Sequence, residues 1–262
     1  MTRIIHANWY DFPQYYDLAF RDETRAEAAF LQAAFTRYAD GRVTTLLEPA
    51  CGSGRLVRAL AAKGFRVLAF DLNQRALVYC QRRLQARGLR ATLFRADMCQ
   101  FAVSQPVDAA FCTFDSFRHL LTEKHALQHL RCMAEAIRPG GVYILGVHLL
   151  PPDASDECVE RWRARHGRLS LAVTLRVLKV DRRRRREWLR VSLRVQSARR
   201  VVRIRHEFPL RIYTASQLRK TIGRCGQFDL CDTFDYWYEI DRPSQFNDDM
   251  ADTVLVLRRK SR

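Results

Sequence analysis

The sequence lacks the features that mark membrane, secreted or metal-binding proteins. Within its 262 residues no apolar run approaches the roughly 20 residues that a membrane span needs, and the N-terminus has no apolar segment typical of a secretory signal. The eight cysteines include no C-x-x-C pair, so neither a zinc site nor a disulfide framework is indicated. We therefore expect reduced thiols, no bound metal, no membrane partner and a cytoplasmic location.

Lysine is scarce throughout the chain, and acidic residues are scarce in one segment. Lysine contributes only 5 of the 45 basic side chains. The formal net charge is +17, but residues 161–211 hold 18 Lys+Arg against 3 Asp+Glu, while residues 1–160 hold 19 against 17 and residues 212–262 hold 8 against 8. One arginine-rich segment therefore carries almost all of the excess positive charge.

The most informative stretch is residues 43–73, VTTLLEPACGSGRLVRALAAKGFRVLAFDLN. An apolar strand ends at the acid Glu48, and a turn of small residues follows. Gly52 and Gly54 in this turn let the backbone approach a ligand closely because no Cβ intervenes, and the next helix offers free N–H groups and a positive dipole end. A second strand ends at Asp71, where a carboxylate can accept both hydroxyls of a ribose. The stretch predicts a nucleoside pocket at the carboxyl ends of adjacent parallel strands.

The residue at position 57 distinguishes between two classes of nucleoside cofactor. The dinucleotide fingerprint would need Gly or Ala at position 57, which is Val57, so a nicotinamide or flavin enzyme is disfavoured. The stretch instead resembles the first motif of the class I S-adenosylmethionine-dependent methyltransferases, E/D-x-G-x-G-x-G. Glu48, Gly52 and Gly54 match that motif, and Ala50 replaces its first glycine.

Later segments resemble the same family in the same order, over roughly residues 8–150. The acid of its second motif, which holds the ribose, corresponds to Asp71, and the adenine-framing segment corresponds to FRADM at 94–98. Residues 107–120 resemble the fourth strand and the loop beneath the methionine end, and residues 137–149 resemble the closing turn and fifth strand. The cofactor-binding residues that the resemblance implies are Tyr16, Glu48, Ala50, Cys51, Gly52, Gly54, Asp71, Leu72, Asp97, Met98, Thr113 and Asp115.

Each of these assignments has a structural alternative. The glycine turn could be an ordinary strand-to-helix connection, although the flanking acids make that less natural. Asp97 could be a helix N-cap, and Asp115 could cap the turn after the fourth strand.

Strand and helix signals alternate along most of the chain, which predicts a parallel sheet wound with helices. Expected strands are 43–48, 66–70, 90–94, 107–112 and 141–147, and expected helices are 24–38, 54–63, 73–87 and 122–137, with a turn at 138–141. A helix at 215–225 and strands near 228–236 and 253–258 should complete the sheet. The predicted fold is α/β: a doubly wound, mostly parallel seven-stranded sheet of the Rossmann-like methyltransferase type.

The period changes to 2 after Pro151-Pro152. Apolar residues alternate with polar ones at 169–177, 189–195 and 202–210, which predicts an antiparallel sheet with one apolar and one arginine face. Such an insertion is similar to the lid of small-molecule N-methyltransferases. We therefore expect a cofactor-binding core of residues 1–150 and 212–262 and an inserted lid of residues 151–211.

His119 and His148 are the catalytic candidates, because each follows a strand end and either could accept a proton near neutral pH. Both could equally be hydrogen-bonded wall residues. Tyr15 and Tyr16 resemble a segment of the family that crosses the cofactor, and residues 236–238 could line a substrate; ordinary aromatic packing is the alternative for both groups.

The arginine face allows three interpretations: a solvated sheet face, a surface for an acidic substrate or partner, or an RNA-binding surface. Its few aromatic residues disfavour a stacking platform for single strands. The favoured function is an S-adenosylmethionine-dependent methyltransferase acting on an amine or hydroxyl of a small molecule. The alternatives are an RNA methyltransferase that uses the basic insertion, and a cofactor-binding protein without turnover.

Overall fold

A computed structural model describes residues 4–198 and 200–261 of the chain. Its strands and helices are β1 (Ile4–His6), α1 (Pro13–Ala19), α2 (Thr24–Tyr38), β2 (Thr45–Pro49), α3 (Arg55–Ala61), β3 (Arg66–Asp71), α4 (Gln74–Gln85), β4 (Thr92–Arg95), β5 (Val107–Cys112), α5 (Glu123–Ala136), β6 (Ile137–His148), β7 (Val159–His166), β8 (Leu169–Asp181), β9 (Arg186–Gln196), β10 (Val201–Arg211), α6 (Ala215–Cys225), β11 (Phe228–Phe234) and β12 (Asp252–Arg259). Short 3-10 turns cover Trp9–Asp11 and Ser116–His119. No described helix is both long enough and apolar enough to cross a membrane.

The main sheet has seven strands in the order β11-β12-β6-β5-β2-β3-β4. Strands β2 to β6 run parallel, and β12 is antiparallel to both β6 and β11. The predicted fold class is therefore confirmed. The strand order reverses between β2 and β5, and in open sheets of this kind ligands bind beside that point, outside the carboxyl ends of the strands.

Helices cover both faces of the main sheet because each presents one apolar stripe to it. Helices α2, α3 and α4 bury Phe30, Leu56 and Leu77 against one face. Helices α5 and α6 bury Leu130 and Leu218 against the other. Two separate cores result, with the sheet between them.

A second sheet contains five strands in the order β1-β10-β9-β8-β7. The sequence predicted three of them. Strand β7 was missed because its alternation places arginines at three consecutive outward positions and gives few apolar residues. Strand β1 was missed because it is only three residues long, and it pairs in parallel with β10, Ile4 opposite Arg203.

The paired strands of the second sheet show the predicted alternation of apolar and polar side chains between its two faces. Leu171, Val191 and Ile204 face inward, where Trp9 and Phe20 of the N-terminal segment pack against them. The cross-strand register places eight arginines on the opposite face: Arg161, Arg163, Arg165, Arg176, Arg190, Arg194, Arg203 and Arg205. The inward face is thus apolar, and the charged face is directed away from the main sheet.

One predicted boundary is wrong. The Arg138-Pro139-Gly140-Gly141 segment is not a separate turn but part of β6, which already begins at Ile137. Gly140 has a φ of +73°, and the pairing with β5 shifts register between Val107 and Ala109. The glycine therefore produces an irregularity within the strand, and pairing continues on both sides of it.

Two glycines give opposite predictions for alanine substitution. A Cβ at Gly146 in β6 would lie 2.1 Å from the backbone oxygen of Thr113, whereas a Cβ at Gly223 in α6 would have no atom within 4 Å. We expect Gly146→Ala to lower the free energy of unfolding by about 2 kcal/mol or more, since backbone must move. Gly223→Ala should raise it by about 1 kcal/mol through helix propensity.

Urea unfolding of both variants beside the unsubstituted protein checks this pair. A Gly146→Ala protein as stable as the parent would show that Gly146 does not lie against the backbone of Thr113.

Candidate active site

A cavity of about 840 Å³ opens at the carboxyl ends of β2, β3 and β5, next to the reversal of strand order. Residues of the main sheet loops line one side of it, and the N-terminal segment lines another. Side chains from the apolar face of the second sheet, including Trp162 and Phe208, line a third. The two sheets and the N-terminal segment therefore enclose one shared space.

The glycine turn after β2 passes through left-handed backbone at Ala50 (φ 51°), Gly52 (φ 52°) and Gly54 (φ 70°). A Cβ at Gly52 would meet nothing within 4 Å, whereas one at Gly54 would lie 2.1 Å from the Sγ of Cys80 in α4. Gly52 and the intervening Cys51 line the cavity, so Gly52 leaves space for a ligand and Gly54 leaves space for helix packing. Ala50 adopts a left-handed backbone conformation that residues with a Cβ rarely take.

Asp71 at the end of β3 links the loop after β2 to the loop after β3. Its carboxylate accepts hydrogen bonds from the backbone N–H groups of Gly52 and Asn73, each at 2.8 Å. Burial raises the pKa of this carboxyl, although the backbone donors oppose the shift. Leu72, the next residue, is 59% exposed and also lines the cavity. The carboxylate is thus held in place and keeps lone pairs available for further donors.

Asp97 and Met98 line the cavity beyond β4. The Asp97 carboxylate accepts a hydrogen bond from the backbone N–H of Cys99 at 2.8 Å, so it caps a turn and not a helix. The Met98 carbonyl is 2.9 Å from Nδ1 of His129, whose Nε2 is 2.8 Å from the Tyr143 hydroxyl. Because a carbonyl only accepts, Nδ1 carries the proton and Nε2 accepts from Tyr143.

A group of buried charges lies at the other end of the glycine turn. Arg55, the first residue of α3, forms a buried ion pair with Glu27 of α2, and the Thr113 hydroxyl donates to Glu27. Burial raises the pKa of Glu48 well above its usual range. Its Oε2 atom is buried and has no hydrogen-bond partner among the described residues. Tyr16 lines the same region.

Asp115, in left-handed backbone with a φ of 60°, lines the cavity after β5. It accepts from the backbone N–H of His148 at 2.9 Å and from the Arg118 guanidinium at 2.9 Å. Arg118 is 3% exposed and also pairs with Glu187 of β9. The carboxylate of Asp115 is therefore held by the main sheet and is linked to the second sheet through Arg118.

The two histidine candidates lie in different environments. His119 lines the cavity, with Nε2 3.0 Å from the Tyr10 hydroxyl. Desolvation and the nearby Arg118 charge lower its pKa to about 4, so the ring is neutral near pH 7. The side chain of His148 is not among the cavity-lining groups and pairs with Asp252 at 2.8 Å. Burial lowers the pKa of His148, but the hydrogen bond to Asp252 and the negative charges of Asp115 and Asp252 together raise it.

Several lining residues were not expected from the sequence. Trp9, Tyr10 and Asp11 form the 3-10 turn beside the cavity, and the Asn73 amide donates to Asp11 at 2.8 Å. Their aromatic cluster is visible in the sequence, but its contact with α4 and the second sheet has no local signature. Arg55 was also missed, since only its position after Gly54 could have suggested it.

The other aromatic candidates do not line the cavity. Tyr15 stacks on Phe12, with ring centroids 5.9 Å apart. Tyr238 packs on Phe30, and Trp237 is 80% exposed. In residues 4–198 and 200–261 no three His, Cys, Asp or Glu side chains are grouped to hold a metal ion.

Comparison with known proteins shows that part of the chain is similar to methyltransferases. Residues 46–141 match the family described as a methyltransferase domain. A putative methyltransferase of Geobacillus sp. (strain WCH70) is 26% identical over 148 residues, which are 56% of this chain and 58% of that protein. The dTDP-3-amino-3,4,6-trideoxy-alpha-D-glucopyranose N,N-dimethyltransferase of Streptomyces venezuelae is 26% identical over 156 residues, 60% of this chain and 62% of that one. The chain thus spans little more than half the length of these relatives.

The fold agrees with this match. A crystal structure of an S-adenosylmethionine-dependent methyltransferase from Clostridium acetobutylicum ATCC 824 superposes with a TM-score of 0.78 and 18% identity, covering 97% of this chain and 100% of that one. Residues 46–141 thus match a methyltransferase domain, and the described chain shares the fold of a solved methyltransferase.

S-adenosylmethionine is the cofactor of this class of domain, and the cavity fits it. The missing Cβ of Gly52 leaves room for it, and the fixed carboxylate of Asp71 suits the ribose hydroxyls. The buried Oε2 of Glu48, which has no hydrogen-bond partner among the described residues, is a polar atom that can bind the amino-acid end.

The methyltransferase domain should lose cofactor affinity when Asp71 is replaced. Asp71→Ala removes the charged acceptor for the ribose hydroxyls, which is worth about 1.5–3 kcal/mol, so we expect S-adenosylhomocysteine to bind roughly 10-fold to 100-fold more weakly. Calorimetric titration measures this, with Asp229→Ala in β11 as a control outside the cavity lining. Unchanged affinity in Asp71→Ala would contradict the assignment.

His129 should make the domain sensitive to acid. Its side chain is fully buried and desolvation lowers its pKa to about 4, so between pH 6.5 and 4 the unfolded chain binds a proton that the folded chain excludes. The free energy of unfolding should therefore fall as the pH drops through this range, by about 3 kcal/mol at pH 4.

Urea unfolding at several pH values checks this, with His129→Gln expected to flatten the slope. His166→Gln, in the exposed part of β7, is the matched control. Identical slopes for His129→Gln and the parent would refute the role of this histidine.

Proposed function

We propose that the protein transfers a methyl group from S-adenosylmethionine to an amine or hydroxyl of a small molecule. The observation that carries this proposal is the shared cavity. It runs from the Gly52–Asp71 end, which suits the cofactor, to a space beneath the apolar face of the second sheet. The domain match and the amino-sugar N,N-dimethyltransferase among the relatives support it.

The chain's own contribution is to align the reactants and exclude water. The cofactor supplies a methyl group already activated by a positively charged sulfur. The glycine turn and Asp71 fix one reactant, and the enclosing side chains hold the other in a dry space, which makes the transfer effectively unimolecular. Binding the cofactor needs particular residues at fixed spacing, whereas enclosing the acceptor needs only apolar side chains. The sequence therefore contains a recognisable motif for the cofactor and none for the acceptor.

Tyr10 and His119 are the groups that we propose accept the proton released by the acceptor. Burial raises the pKa of Tyr10, so its phenol stays protonated and donates to the neutral Nε2 of His119. The phenol oxygen can then take the acceptor's proton as it passes its own proton to Nε2 of the imidazole. The imidazole carries this proton only transiently, because its pKa of about 4 makes it release the proton to solvent. His148 acts elsewhere: its backbone N–H holds Asp115.

The position of the arginine face favours a small acceptor over RNA. The eight outward arginines lie on the face of the second sheet opposite the residues that line the cavity, such as Leu175 and Val191. A nucleic acid held by that face would be separated from the reacting groups by the sheet itself. As part of the same proposal, residues 151–211 act as a lid on a core of residues 1–150 and 212–262.

Release of S-adenosylhomocysteine tests the function. We expect product from the purified protein with a small-molecule cell extract, and no loss of product when that extract is treated with ribonuclease. Product that appears only with RNA would contradict a small acceptor. Tight binding of S-adenosylhomocysteine with no release in any fraction would establish a cofactor-binding protein without turnover.

The proposed proton route makes a separate prediction. Tyr10→Phe and His119→Gln should each lower kcat by about 10²-fold while leaving the affinity for S-adenosylhomocysteine nearly unchanged. His166→Gln serves as the control. Full activity in both variants would exclude the route, since neither residue would then handle a proton.

A further inference from the structure

The part of the cavity beneath the second sheet differs in chemistry from the cofactor end. We refer to it as the acceptor chamber. Its walls include Phe20, Phe114, Trp162, Leu175, Leu189 and Phe208. The aromatic members form a connected cluster, with Phe20 4.4 Å from Phe114 and 5.6 Å from Trp162 between ring centroids. The chamber therefore suits an apolar, ring-bearing molecule.

Positive charge that could bind a phosphate is absent from the described walls of this chamber. The described arginines that line the cavity are Arg55 and Arg75. Arg55 is 5% exposed and already pairs with Glu27. Arg75 lies at the start of α4, where its side chain is 70% exposed and 3.8 Å from Asp11, at the cofactor end.

The nearby arginines of the second sheet cannot supply this positive charge to the chamber. Successive side chains of a strand point to opposite faces, so Arg176 lies on the other face from Leu175, and Arg190 on the other face from Leu189. Arg211 is buried and pairs with Glu123. The charge that dominates this segment is therefore directed away from the chamber by the pairing register.

Two buried indole N–H groups indicate what polar atoms an acceptor in this chamber would carry. Trp9 and Trp162 both line the cavity, and the Nε1 atom of each is buried without a hydrogen-bond partner among the described residues. A buried donor with no partner is costly. A neutral oxygen or nitrogen on the acceptor, such as an ether, carbonyl or hydroxyl, would satisfy either of them.

From these observations we infer that the acceptor is a phosphate-free, largely apolar, ring-bearing amine, and not a nucleoside-diphosphate sugar. The inference rests on the proposed function, because it names the acceptor of the same cavity. An apolar chamber also desolvates an ammonium group and so favours the neutral amine, which is the nucleophilic form. A diphosphate placed there would be a buried anion without a partner.

A matched pair of probes separates the two acceptor classes. Tyramine and O-phosphotyramine differ only by a phosphate, and each is titrated by calorimetry into the protein saturated with S-adenosylhomocysteine. We expect tyramine to bind at least 100-fold more tightly than its phosphate. A dTDP-3-amino sugar is tested in parallel for release of S-adenosylhomocysteine in the presence of S-adenosylmethionine, and we expect none.

A pair of neighbouring variants tests whether the chamber itself makes this choice. Leu175→Arg places a cation on the inward face of β8 and should improve binding of O-phosphotyramine at least 10-fold while weakening that of tyramine. Thr174→Arg places the same side chain on the outward face and should change neither. Binding of S-adenosylhomocysteine by both variants verifies that they are folded.

The inference is overturned if the two amines bind equally, if neither binds at millimolar concentration, or if the nucleotide sugar is methylated. It is also overturned if Leu175→Arg leaves the preference unchanged. A protein that does not bind S-adenosylhomocysteine at all would instead overturn the proposed function, so the two failures are distinguishable.

Discussion

The carboxylate of Asp71 is the contact on which the site depends. By accepting the N–H groups of Gly52 and Asn73, it joins the ends of β2 and β3 at the edge of the sheet where the cavity opens. Asn73 in turn donates to Asp11, so the same carboxylate indirectly fixes the N-terminal segment. The loops that would contact the cofactor are thus positioned before any ligand arrives, which lowers the cost of ordering them on binding.

A second set of buried charges performs a similar task between the two sheets. Arg118 contacts Asp115 beside the cavity and Glu187 on β9, and its Nε donates to the carbonyl of Arg211 at 2.9 Å. Removing one member of such a buried group leaves an uncompensated charge, which is strongly destabilising. The position of the second sheet over the cavity is therefore tied to the loop that follows β5.

Most of the residues that the sequence assigned to cofactor binding line the cavity, whereas the lining residues beneath the second sheet were not expected from the sequence. The reason for this difference is physical. Gly52 and Asp71 belong to a short strand–turn–helix–strand unit whose geometry is set locally, so their spacing alone carries information. Tyr10 meets His119, and Trp9 meets the second sheet, only through tertiary packing, which leaves no fixed spacing in the chain. His148 was placed on the ligand rim from its position at a strand end, but its side chain instead pairs with Asp252 of the neighbouring β12.

The parallel pairing of β1 with β10 has a consequence for how the protein is made. Residues 4–6 leave the ribosome well before their partners, residues 203–205, which emerge only when the intervening strands and helices have been synthesised. The aromatic segment that follows β1 is not anchored by this pairing until then. Contacts so distant in sequence form slowly, so the N-terminal wall of the cavity reaches its final position only after β10 has been synthesised.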